Sequence, residues 1–150
     1  MNRLTSVFVV LSLMGCGSPA EVPWEAGPAV LAGTVDGAAW WPLGPPVVTR
    51  EGGALSLAGE SLGGVRISLV VRMQSGVTRY GQGEIAASLS RSAATRGRDM
   101  HWPSTTEGEL VLDTAAPGIA GRFRVVLVPD AWTLSQGGRL TVLEGRFSGP

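Results

Sequence analysis

The chain of 150 residues contains no lysine, one cysteine, one histidine and one tyrosine. Each scarcity excludes something. A single cysteine, Cys16, cannot form an internal disulfide, so an exported domain with this sequence must be held by core packing. One histidine, His101, and one cysteine are too few for a zinc or copper centre, which draws on several such ligands. No Asp/Glu-rich loop has calcium spacing. Phosphate loops, dinucleotide fingerprints and alternating β-α units are absent, and no G-x-S-x-G surrounds any serine. No cofactor is expected. The formal charge is zero, from 12 arginines and 12 acids. Without residues 1–15, which carry Arg3 and no acid, it becomes −1. Such a balance predicts no general attraction to nucleic acid or to anionic lipid. Arginine as the sole basic residue, with abundant Gly and Ala, reads as codon bias.

What is present begins at the amino terminus. Asn2 and Arg3 form a short polar, positive start, and Leu4 to Met14 is apolar. Eleven residues are too few for a transmembrane helix, which needs about 18 or more. Leu13-Met14-Gly15-Cys16 places a large aliphatic residue three positions before a cysteine and a small residue just before it. This matches the lipobox of exported bacterial lipoproteins. It predicts cleavage before Cys16 and acylation of its sulfur and new amino group. Two or three acyl chains anchor firmly, because each buried methylene contributes ~0.8 kcal/mol. Gly17 and Ser18 lack the aspartate that often retains lipoproteins at the inner membrane, so the outer membrane is the expected address. Residues 1–15 are thus read as a signal peptide and residues 16–28, with Pro19, Pro23 and Pro28, as an extended, flexible tether. Trp24 within it would dock on the domain or sit at the membrane interface.

Residues 29–150 read as one domain. With 22 Gly and 10 Pro, turns are plentiful and long helices are not expected. Val65 to Met73 is the clearest strand: Val65, Ile67, Leu69, Val71 and Met73 share one face, and Arg66, Ser68 and Arg72 lie on the other. Gly121 to Val128 repeats the pattern, with Phe123, Val125 and Leu127 facing in. Further strands are expected at Ala29 to Val35, Val47 to Arg50, around Leu55 and Leu57, at Val77 to Gln82, around Leu110 and Leu112, and at Leu140 to Phe147. Glu84 to Ser90 reads as a strand, although Ile85 and Leu89 also fit a helical face. In the last strand Leu140 and Val142 share one face and Leu143 and Phe147 the other, which a bulge near Gly145 would reconcile. Asp36-Gly37, Gly52-Gly53 and Gly137-Gly138 mark tight turns. The expected fold is all-β, an antiparallel sandwich or barrel. Gly121-Arg122-Phe123 and Gly145-Arg146-Phe147 repeat a tripeptide, which is read as neighbouring strands that each need a small residue near an inward Phe.

Gly33-Thr34-Val35-Asp36-Gly37-Ala38-Ala39-Trp40, with the later Gly108 to Asp113, Ile119 to Val125 and Gly145 to Phe147, resembles a group of small bacterial lipoproteins of unknown function. In that group a lipobox and linker lead into a strand, a D/N-G turn and a Trp. The resemblance implies an all-β secreted domain and no activity. It casts Gly37 as a positive-φ turn residue, Trp40 as packing, and Gly121 and Gly145 as sites of a bulge or close strand approach.

Asp99, His101 and Ser104 are the nearest approach to a hydrolase triad, but triad members usually come from separate elements. The protein is therefore not expected to be an enzyme. Arg91 to Glu107 reads as a long irregular connection, in which Arg96, Arg98, His101 and Trp102 form a possible binding loop for an anionic or carbohydrate group. Trp40, Trp41 and Trp102 could also serve a ligand surface, although core packing is the commoner use. The expected partners are the membrane, through the lipid on Cys16, and an envelope protein or glycan. Two functions fit: a lipid-anchored, non-enzymatic binding or envelope-structural module, or a barrel that carries a small hydrophobic ligand.

Overall fold

The computed structural model describes residues 28–92, 97–113 and 118–150. Cys16 and Trp24 lie outside these residues. Among the described residues eleven strands follow one another: β1 (Val30–Val35), β2 (Ala38–Trp40), β3 (Val47–Glu51), β4 (Ala54–Glu60), β5 (Val65–Arg72), β6 (Arg79–Gly81), β7 (Ile85–Arg91), β8 (Met100–Trp102), β9 (Ser104–Leu112), β10 (Ile119–Val128) and β11 (Thr141–Gly149). A 3₁₀ turn at Gln82–Glu84 precedes β7, and a short helix α1 (Ala131–Ser135) precedes β11.

The strands form two antiparallel sheets. One has the order β2-β1-β11-β10-β9-β6 and the other β3-β4-β5-β7-β8. Each sheet turns one face inward, and the inward residues make one core. Leu31, Tyr80, Leu110, Phe123, Val125, Leu127, Leu143 and Phe147 come from the six-stranded sheet, and Val48, Leu55, Leu57, Ile67, Leu69, Val71, Ile85, Ala87 and Leu89 from the other. The fold is an antiparallel β-sandwich.

Local chemistry explains the connections. Asp36 and Gly37 both have positive φ, 51° and 80°, which is the geometry of the two-residue hairpin turn between β1 and β2. The chain changes sheets between β2 and β3 through Pro42, Pro45 and Pro46, and again between β8 and β9 at Pro103. Trp40 ties the two layers together: it is 4% exposed, and its indole Nε1 donates to the Val65 carbonyl across the sandwich at 3.1 Å.

The strand expected at Glu84 to Ser90 is present as β7, so the helical alternative fails. Two expectations need correction. Arg91 to Glu107 is not an irregular connection, because β8 and the first part of β9 occupy most of its described residues. Pro103 resembles a loop signal but marks a corner between two strands. Nor is there a bulge near Gly145, since β11 pairs with β10 in unbroken register from Ile119↔Gly149 to Leu127↔Thr141. The inward face of β11 is Thr141, Leu143, Gly145, Phe147 and Gly149, while Leu140 is 55% exposed. Alternation looked broken only because three inward positions hold Thr or Gly. The register shift falls elsewhere, in the β9–β10 ladder between Val126 and Leu127.

The repeated tripeptides are direct neighbours. Gly121 lies opposite Phe147, Arg122 opposite Arg146, and Phe123 opposite Gly145. The two phenyl rings are 6.5 Å apart. A Cβ on Gly145 would sit 2.7 Å from Phe123 Cζ, and one on Gly121 would sit 2.9 Å from Phe147 Cζ. Each ring therefore occupies the side-chain space of the glycine across from it, the close approach that sequence assigned to these positions.

Candidate binding groove

The outward face of the five-stranded sheet is built from small residues. Strand register sets two adjacent rows across it. One runs Val47, Ala58, Ser68, Ser88, and the other Glu60, Arg66, Ser90, His101. Because side chains alternate along a strand, all eight project from the same face. The small side chains of the first row, beside the larger ones of the second, leave a groove of about 740 Å³, bounded by Pro45, Pro103 and Asp130.

Polar groups are concentrated at its ends. Arg66 Nε lies 2.8 Å from Glu60 Oε2, with both side chains about half exposed. The hydrogen bond and charge of Glu60 raise the pKa of Arg66, so the guanidinium stays charged. At the other end, Met100 and Trp102 turn inward and His101 outward. Helix α1 is fastened to this strand. The His101 amide donates to Thr133 Oγ1 at 2.7 Å, and the Asp130 amide donates to the His101 carbonyl at 2.9 Å. Thr133 is fully buried.

Asp130 caps α1 by accepting from the Thr133 amide at 2.6 Å. Hydrogen bonding from Thr133, more than the nearby charges of Arg98 and His101, holds its carboxyl below the usual range. A depressed carboxylate contributes stability above its unfolded pKa of about 3.9, and that contribution is lost as pH falls through the lower folded value. Asp130→Asn keeps a capping oxygen but removes the charge. Its urea midpoint should lie below wild type near neutral pH, and the gap should close under strong acid. A gap that stays constant across the acid range would show that this charge is not sensed by folding.

Of the residues singled out in sequence, two reach this end of the sheet. His101 lines the groove. Arg98 Nη2 lies 4.0 Å from Asp130 Oδ2, and the Arg98 guanidinium sits 5.0 Å over the Trp132 ring. Trp102 points the other way: it is 4% exposed and its indole Nε1 donates to the Arg139 carbonyl at 2.8 Å. Arg96 lies outside the described residues. Arg66, Asp130 and Trp132 were not picked out in sequence, since each is distant along the chain from His101. Trp132 lies within an Asp-x-x-Thr capping pattern, Asp130 to Thr133, the one signal that α1 begins there.

Asp99, His101 and Ser104 do not assemble. Asp99 Oδ1 is 3.5 Å from Ser92 Oγ, and among the described residues no hydrogen bond joins the His101 ring to Asp99 or Ser104. Among the same residues no three His, Cys, Asp or Glu side chains are grouped to hold a metal ion, and no helix is long and apolar enough to cross a membrane. Comparisons with protein-family models, curated proteins and solved structures return no match.

Proposed function

We infer that this protein is a lipid-anchored, non-enzymatic binding module of the bacterial cell envelope, held through Cys16 and presenting the groove of its five-stranded sheet to an envelope protein or glycan. The lipobox supports the anchor, and the absence of an acidic residue at the second position after cleavage supports the outer membrane. The observation that carries the binding role is the groove itself: a floor of Ala58, Ser68 and Ser88, with Arg66, Glu60, His101 and Asp130 at its rim. Hydroxyls, a guanidinium, an imidazole and carboxylates suit a polar partner that exchanges hydrogen bonds with a fixed surface. The alternative, a carrier of a small hydrophobic ligand, requires a hollow interior. Side chains of both sheets fill that space, from Leu31 and Phe147 on one side to Leu57 and Leu69 on the other.

Fractionation of cells with mass analysis of the purified chain tests the reading. Wild type should sediment with membranes as a chain that starts at Cys16 and carries a diacylglyceryl group. Cys16→Ala should keep its uncut leader or appear in the soluble fraction, without that modification. An unmodified Cys16 in the wild-type protein would contradict the anchor.

A further inference from the structure

The outward face of the six-stranded sheet is organised differently. One rung read straight across it holds Arg79 on β6, Val111 on β9, Arg122 on β10, Arg146 on β11 and Ala32 on β1. One place past the Gly33–Trp40 pair, Trp41 continues the row at the sheet edge. Trp41 is 64% exposed and shares a groove with Arg146. This row contains three arginines, a tryptophan and no carboxylate.

The next rung holds the acids, and they are engaged. Arg124 Nε lies 2.9 Å from Glu144 Oε1, its Nη1 lies 3.7 Å from Glu107 Oε2, and Arg79 Nε lies 3.4 Å from Glu109 Oε1. Arg122 and Arg146 face each other directly across the β10–β11 ladder. Among the described residues, no carboxylate oxygen lies within 4.0 Å of either guanidinium. Like charges opposite one another in a sheet are destabilising. Here the opposition persists beside a groove of about 650 Å³ that both arginines line together with Asp113. An anion shared between the two guanidiniums would replace the repulsion with charge-assisted hydrogen bonds, for which the planar fork is suited.

We propose that this row binds an anionic polysaccharide, with a carboxylate or phosphate held between Arg122 and Arg146 and a neighbouring sugar ring laid against Trp41. Strands lie about 4.8 Å apart, so Trp41 is roughly 10 Å from Arg146 and roughly 15 Å from Arg122 across the row. A short saccharide chain covers that span. Indole offers the broad apolar surface that the C–H face of a sugar ring requires. A chain lying along one rung keeps clear of Glu107 and Glu109 and passes beside Glu144, whose carboxylate is held by Arg124; all three acids are exposed on the same face. A flat anionic bilayer would meet them together with the arginines. The proposal does not depend on the lipid anchor or on the groove of the other sheet.

The test is affinity electrophoresis and calorimetry of the full chain, as purified from its host cells, with polygalacturonate and with phosphomannan. Neutral dextran and vesicles of zwitterionic lipid with and without anionic phospholipid serve as comparisons. At least one anionic polysaccharide should bind wild type, more weakly as salt rises, and the preferred one identifies the anion. Arg122→Gln/Arg146→Gln should weaken that binding at least about tenfold. Arg50→Gln/Arg72→Gln, which removes the same charge from the other sheet, should not. Trp41→Ala should also weaken binding although charge is unchanged. The proposal is overturned if neither polysaccharide binds, if both double variants lose affinity equally, if Trp41→Ala binds as wild type does, or if anionic vesicles are preferred through the same two arginines.

Discussion

Gly145→Val is expected to destroy the cooperative fold or to lower its stability by at least about 4 kcal/mol. The reason lies at the centre of the six-stranded sheet. A Cβ at position 145 would lie 2.7 Å from Phe123 Cζ and 2.8 Å from the Ala32 carbonyl oxygen. The ring can turn aside, but the carbonyl belongs to β1, which pairs with β11 along its whole length. Gly33 of β1 lies opposite Gly145, and a Cβ there would collide with the Glu144 carbonyl oxygen. Two strands thus approach closely through a facing glycine pair, and a side chain on either separates them. Domains of this size are stable by only about 5–15 kcal/mol, so the loss is a large fraction of the total. Urea unfolding followed by circular dichroism measures it. Adding Phe123→Ala should recover part of the loss, because one of the two collisions is then removed, and the pair should be clearly less than additive. Strict additivity would show that ring and glycine do not share space.

Trp40→Ala is expected to cost about 3–5 kcal/mol, the range for truncating a large buried aromatic residue. Trp40 has a position no smaller residue can fill. It lies on a three-residue edge strand of one sheet, yet its indole reaches Gly59 and donates to Val65 of the other sheet. Its loss opens a cavity and leaves the Val65 carbonyl without that donor. Trp40→Phe should be milder, since it keeps most of the packing and forfeits the hydrogen bond, about 1–3 kcal/mol. Circular dichroism again gives the comparison. If Trp40→Ala unfolded at the wild-type urea concentration, the indole would not be holding the layers together.

The parts of this fold legible in sequence are those in which one face alone is buried and the inward residues are large. Strand β5 is such a case, with Ile67, Leu69 and Val71 buried between exposed neighbours, and so is the middle of β10, where Phe123 is buried between exposed Arg122 and Arg124. The paired Gly-Arg-Phe tripeptides were legible for the same reason, because Phe needs space and glycine supplies it. Strand β11 was harder to place. Its inward row holds Thr141, Gly145 and Gly149, and the space beside the two glycines is taken by Phe123 and Val48 on other strands. No local rule can foresee a neighbour that lies far along the chain. Strand β8 was obscured by Pro103, a residue that signals a loop and here turns the chain from one sheet to the other. The groove was the least legible feature. Its floor is alanine and serine, which carry no chemical signature, and its rim draws Arg66 from β5, His101 from β8 and Asp130 from the cap of α1. Arg98 and His101 were recognised as polar residues beside one another. Their partners, Asp130 and Trp132, come from the other side of β10.

The central functional claim is that the outward face of the five-stranded sheet is where this protein meets its partner. Photo-crosslinking in living cells tests it most directly, with benzoylphenylalanine in place of Ser68, an exposed residue on the floor of the groove. The account predicts a discrete adduct that fades when Arg66 and His101 are both changed to alanine. A probe at Leu140, which is 55% exposed and lies outside the groove, should not form it. No adduct from Ser68, or the same adduct from both positions, would contradict the account.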